Sequence, residues 1–87
     1  MTVYLDGCKM TERAALHDHL QQVLALPAHY GRNLDALHDL LCELSGVTIT
    51  VRNFAAAERS LGGYAGGLRH VLLDAARDNP NLSVEFI

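Results

Sequence analysis

The apolar positions change period several times along the chain, and each change marks an element. Thr2-Val3-Tyr4-Leu5-Asp6 is short and rich in β-formers, and Asp6-Gly7 closes it, which predicts a strand followed by a turn. Thr11 stands in N-cap position for the next segment, where Leu16, Leu20, Val23 and Leu24 recur at helical spacing until Leu26-Pro27 stops the pattern. The interval from Pro27 to Arg32 combines proline and glycine with the rings of His29 and Tyr30 and reads as a loop; Asn33 then caps a second helix running to about Leu44. Ser45-Gly46 separates that helix from Val47-Thr48-Ile49-Thr50-Val51, a β-branched run expected to be a buried strand. Asn53 is placed to cap a short helix from Phe54 to Leu61. The glycine-rich run Gly62 to Gly67 reads as a flexible connection, with Tyr64 covering the core edge. Leu68, Val71, Leu72, Ala75 and Ala76 then resume a helical stripe that Asn79-Pro80-Asn81 breaks. Leu82 to Ile87 alternates as a terminal strand.

The resulting order is β-α-α-β-α-α-β. Helices separate each pair of successive strands, so the crossovers should be right-handed and the strands parallel. The expectation is one α/β domain over residues 1–87, a three-stranded parallel sheet with four helices, free of internal repeats and low-complexity tracts. Its 87 residues, 49% hydrophobic and 20% charged, have the balance of a folded globule with one modest core.

Charge narrows the function. Seven basic residues against ten acidic ones leave a net charge of −3, so no global field attracts a phosphate backbone and a basic partner fits better than nucleic acid. No apolar stretch approaches the roughly 20 residues of a membrane span, and Met1 to Asp6 lacks the regions of a signal peptide, which points to the cytoplasm. Cys8 and Cys42 match no paired CxxC spacing and are expected as two free, partly buried thiols. The five histidines show no HExxH-like pattern, so neither a metal nor a cofactor is expected. His17-Asp18-His19 resembles a ligand fragment on paper. Successive helix residues diverge by about 100°, however, so the two rings cannot easily converge, and both read as surface residues. The glycine run has no Gly-Lys-Ser/Thr ending and no strand before it, unlike a phosphate-cradling loop.

The helix after Asn33 carries the chemistry. At about 3.6 residues per turn, Leu34, Leu37, Leu41 and Leu44 share one narrow core face. Asp35 and Asp39 centre the opposite face, with Cys42 and Glu43 beside them and His38 toward one border. An outward charged face is ordinarily solvated surface, and Asp35 in the first turn gains roughly 0.3–1 kcal/mol from the helix dipole. Asp39 has no such local reason. It stands four residues from Asp35 and adds like-charge repulsion of a few tenths of a kcal/mol, and Glu43 repeats it. Such a surface gains from meeting positive charge.

The stretch Leu26-Pro27-Ala28-His29-Tyr30-Gly31-Arg32-Asn33-Leu34-Asp35-Ala36-Leu37-His38-Asp39-Leu40-Leu41 resembles the signature of the barstar family: a leucine-proline start, a tyrosine-glycine-x-asparagine loop, then leucine-aspartate-alanine-leucine-x-aspartate. The resemblance implies a small fold with a three-stranded parallel sheet and a non-enzymatic role, the inhibition of a guanyl-preferring ribonuclease inside the producing cell, as an immunity protein does for a secreted toxin. It implies that the helix plugs the nuclease's active site with Asp39 as anchor and Asp35 flanking it. His29 matches a position, often aromatic, that packs on the nuclease's catalytic histidine, and Asp74 matches a further acidic contact. His38 stands where the family commonly has tryptophan, with less apolar area and a titration near neutral pH. Leu44 stands at another tryptophan position, and Asp74 is shorter than the matching glutamate. The partner-binding set is therefore His29, Asp35, His38, Asp39, Cys42, Glu43 and Asp74 on a chain that is monomeric when free. The alternatives are a binding module for a different basic protein and a small hydrolase using Asp39 with His38 or His29, which would need a pocket and a nucleophile that the sequence does not display.

Overall fold

A computed structural model describes residues 1–87. Strand β1 (Thr2–Asp6) leads into a single 3-10 turn over Gly7–Lys9, then helix α1 (Arg13–Leu24), helix α2 (Leu34–Leu41), strand β2 (Val47–Arg52), helix α3 (Phe54–Leu61), helix α4 (Gly63–Asp78) and strand β3 (Leu82–Phe86). The three strands form one parallel sheet in the order β1-β2-β3, as the sequence leads one to expect.

Register explains the core. Val3, Ile49 and Val84 lie side by side, as do Leu5, Val51 and Phe86, and this face packs under the helices. The alternate positions, Thr2-Thr48-Ser83 and Tyr4-Thr50-Glu85, make a polar opposite face that is largely open. Thr50 is the buried exception, and its hydroxyl donates to Glu85 Oε1 at 3.0 Å. The helices therefore cover one side of the sheet only, and the domain has two layers. Leu16, Leu20, Leu37, Leu41, Leu68 and Leu72 close the core from the helical layer.

Several boundaries differ from expectation for physical reasons. Helix α1 starts at Arg13 with Glu12 in the capping position and no side-chain cap, so Thr11 lies outside it; Ala25 ends it in left-handed conformation (φ 52°), two residues before Pro27. Helix α2 stops at Leu41 instead of Leu44, and its last turn loosens into 3-10-like bonds from Glu43 N to Leu40 O and Leu44 N to Leu41 O. Asn53 precedes α3 but does not cap it, because its side chain turns away to donate to Asp6 Oδ1 at 3.1 Å. The glycine run is no flexible connection. Gly63, Gly66 and Gly67 are inside α4, where Ala65, Leu68, Leu72 and Ala75 make one continuous buried stripe whose packing overrides the helix cost of glycine. Gly62 alone separates α3 from α4, at φ 58° and ψ −129°, a conformation that residues with a Cβ avoid. Cys8 and Cys42 are free but exposed, not partly buried.

Helices α2 and α4 pack together and run in the same sense. Gly67 approaches Leu34 so closely that a Cβ there would lie 2.9 Å from Leu34 Cδ1, while at the other end Asn79 reaches Leu41 and Leu44. No helix is long and apolar enough to cross a membrane.

Candidate functional site

Helix α2 has only eight residues, too few to be stable alone, so its orientation depends on what holds its ends. Asn33 does this locally: its Oδ1 accepts from Ala36 N at 2.8 Å, and its Nδ2 donates to Gly31 O at 3.2 Å, joining helix to loop. The far end is held from a distance. Asn79, buried at the end of α4, donates to Leu41 O at 3.0 Å, beside the bond from Leu44 N, and to Leu44 O at 2.8 Å, which has no backbone donor.

The core face of α2 is set by Leu37 and Leu41, both fully buried, with Leu34 and Leu44 half-buried beside them. Asp35 and Asp39 then point to solvent, and Cys42 and Glu43 continue the exposed surface beyond the last helical turn. None of Asp35, Asp39 and Glu43 has a basic group at ion-pair distance, whereas Asp18 is bound by Arg32 (2.7 Å) and Asp74 and Asp78 by Arg77 and histidines.

The loop before α2 forms the opposing wall. Tyr30 is buried, and Arg32, at φ 56°, reaches back to α1 through Asp18, Gln21 Oε1 (3.2 Å) and Ala14 O (3.1 Å). Between loop and helix lies one cleft of about 220 Å³, lined by His29, Tyr30, Gly31, Ala36, Asp39 and Leu40. The structure thus brings His29 and Asp39 to one depression, ten positions apart in the chain. Tyr30, Gly31, Ala36 and Leu40 complete it; the signal for the first two was their place in a chemically rich loop, while Ala36 and Leu40 had none.

The other expected residues divide. His38 is partly covered, with Nε2 3.5 Å from Asp78 Oδ2 and its ring 3.9 Å from Cys42 Sγ. Partial desolvation, together with the Asp78 and Asp39 carboxylates, raises the Cys42 thiol above its ordinary pKa, the opposite of what an activated nucleophile needs. Asp74 is engaged within α4, 2.9 Å from His70 and 3.4 Å from Arg77, so it meets a partner only by sharing or leaving those contacts. No three His, Cys, Asp or Glu side chains converge as metal ligands.

His17 and His19 are not the surface residues expected; they are 3% and 8% exposed. Helix α1 is enclosed on two flanks, so both sides of its core stripe are covered. The two rings diverge as the helix geometry requires. His19 Nε2 accepts from Asp6 N at 2.9 Å, while His17 lies between two tyrosines, Nδ1 2.6 Å from the Tyr30 hydroxyl and Nε2 2.7 Å from that of Tyr64. Burial lowers the pKa of both histidines, helped by Arg32 at His17 and by Lys9 at His19.

Compared with known families, residues 1–87 match the family described as "Barstar (barnase inhibitor)". Among curated proteins the chain is similar to "Putative ribonuclease inhibitor YrdF" of Bacillus subtilis (strain 168), 35% identical over 78 residues that cover 87% of this chain and 86% of that protein. With a match across all its residues and a relative of nearly full coverage, the chain belongs to the barstar family.

Proposed function

We propose that this protein inhibits a guanyl-preferring ribonuclease or nuclease toxin by setting the acidic face of α2 into the enzyme's basic active site. The observation that carries the reading is the exposed, unpaired carboxylate of Asp39, a residue that lines the cleft together with His29, Tyr30 and Gly31. A ribonuclease site concentrates cationic donors to stabilise phosphate charge, and a carboxylate held on a packed helix can occupy that place without being cleaved. Asp39 is the anchor, Asp35, Cys42 and Glu43 extend the contact along α2, and His29 packs over the enzyme's catalytic histidine at the cleft. His38 borders the contact, and Asp74 adds an acidic contact from α4. The free protein is a cytoplasmic monomer that binds no nucleic acid, catalyses no reaction and needs no cofactor.

Barnase, named in the family's description, is the first probe. Titration of its ribonuclease activity with the protein should give stoichiometric loss, and Asp39→Ala should weaken inhibition by at least about 30-fold, the equivalent of the 2 kcal/mol that marks a central hot spot. Undiminished activity of barnase and of other guanyl-preferring ribonucleases at micromolar inhibitor would refute the reading. It would favour a second one, a different basic protein as partner, motivated by His38 where the family commonly has tryptophan and by its contact with Asp78.

A further inference from the structure

The His29–Gly31 wall of the cleft has no regular secondary structure. Within Pro27–Asn33 it is held by a backbone bond from Tyr30 N to Pro27 O (3.0 Å), by Asn33 Nδ2 on Gly31 O and by the Arg32 contacts at its far end. Its centre is tied down by a side chain from another element, His17 on α1, whose ring bridges the hydroxyls of Tyr30 and Tyr64. Tyr64 is itself set by α4 and by the Arg13 guanidinium, 4.2 Å from its ring centroid. The bridge thus connects α1, the loop and α4.

The proton arrangement follows from satisfiability. A neutral imidazole has one donor and one acceptor nitrogen. Tyr30 is 4% exposed and its hydroxyl has no partner other than His17, whereas half-buried Tyr64 can turn its own proton toward solvent. If Nδ1 carried the proton, the Tyr30 hydroxyl proton would be buried without an acceptor. The satisfied state has the Tyr30 O–H donating to Nδ1 and the Nε2–H donating to the Tyr64 oxygen. Burial opposes ionisation at both ends: it lowers the His17 pKa and pushes the Tyr30 phenol up to about 12.

We propose that His17, fixed as the Nε2–H tautomer between Tyr30 and Tyr64, is the positioning residue that holds the loop wall of the cleft in place for the partner. It touches no partner atom. Its contribution is preorganisation, because a loop already fixed in its bound position has less conformational freedom to lose on association. The inference rests on the proposed use of this cleft, and its test separates the two.

The test uses the full-length protein labelled with 15N. Imidazole 15N spectra of the wild type at neutral pH should show Nε2 protonated and Nδ1 bare. Tyr30→Phe deletes one hydroxyl and keeps the ring, so the fold survives. In that variant backbone order at residues 28–32 should drop from the rigid range near 0.85 toward 0.6 or below, with residues of the sheet unchanged. His17→Gln, which can accept from Tyr30 and donate to Tyr64, should restore part of the order that His17→Leu removes. Barnase should bind Tyr30→Phe about 5- to 20-fold more weakly, mainly through faster dissociation. A protonated Nδ1, or loop order unchanged in Tyr30→Phe, would overturn the inference. If barnase fails to bind the wild type while the tautomer and loop order come out as stated, the positioning role stands and the failure belongs to the choice of partner.

Discussion

Replacing Asn79 by Asp tests how the short helix α2 is held. The exchange is isosteric and keeps the oxygen that accepts from Asn81 N at 3.0 Å, but it turns the amide that donates to Leu41 O and Leu44 O into an acceptor. Two hydrogen bonds of about 1 kcal/mol each are lost. Leu41 O keeps its bond from Leu44 N, but Leu44 O loses its donor and faces a buried carboxylate, which adds an unsatisfied-group penalty of about 1–3 kcal/mol. The sum, about 3–5 kcal/mol at pH 7, is a large part of the roughly 4–13 kcal/mol expected for a domain of this length. Urea unfolding followed by circular dichroism should show the midpoint falling with an unchanged slope, and amide exchange should accelerate at Cys42 and Glu43 more than in the sheet. Protonating the new carboxyl restores one donor, so the deficit relative to wild type should narrow as pH is lowered. A loss below about 1 kcal/mol at pH 7, or a deficit indifferent to pH, would refute the claim that Asn79 holds the end of α2.

Other consequences follow from buried groups and glycines. His17 and His19 both have lowered pKa in the folded state, so above pH 6.5 they contribute nothing to pH dependence; below it the unfolded chain takes up protons that the fold refuses, and stability falls. The slope is at most about 1.4 kcal/mol per pH unit for each histidine, and a urea midpoint that is flat from pH 7 to pH 5 would contradict it. Asp6, with pKa lowered by its bonds from Asn53 and Cys8, acts only at lower pH, where its stabilisation is lost as pH falls below the ordinary 3.8. His19→Gln, whose amide oxygen can still accept from Asp6 N, should remove about half of the histidine slope. Gly66→Ala, with open space at the site and helix on both sides, should raise stability by about 0.5–1 kcal/mol. Gly7→Ala should lower it by about 1–3 kcal/mol or more, because the added Cβ would lie 2.1 Å from the Asn53 carbonyl oxygen.

What could be read from the chain was what neighbouring residues decide. The strand runs, the leucine face of α2 and the Asn33 cap all depend on periodicity or on contacts within a few positions, and each is present in the structure. What escaped was what distant residues decide. Asn53 has the sequence of a cap, yet Asp6, 47 positions away, takes its side chain. Asn79 resembles a helix breaker, and its amide serves a helix 38 residues earlier. The glycines of α4 read as a connection because propensity was weighed without the stripe from Ala65 to Ala75 that buries the helix. The histidines of α1 were misplaced for the same reason: geometry alone showed that they diverge, but only the tertiary packing showed that both flanks of the helix are enclosed.

The candidate site was more legible than the long-range contacts because it breaks local rules. Asp35 sits where the helix dipole welcomes it, but Asp39 and Glu43 lie toward the negative C-terminal end and repeat like charge at four-residue spacing. A fold selected only for stability would place Lys or Arg there. Here the Leu41 and Leu44 carbonyls at that end accept from the neutral Asn79 amide, which does not cancel the charge of the exposed face. His38, in the last turn, has its Nε2 3.5 Å from Asp78 Oδ2 on α4. Cations are meanwhile assigned elsewhere: Arg32 to Asp18, Arg77 to Asp74 and Asp78, Arg13 and Arg52 to tyrosine rings. The acidic face of α2 thus holds three carboxylates without an ion pair, and under the proposed function the few tenths of a kcal/mol that each repulsion costs the free protein would be returned when a cationic surface docks.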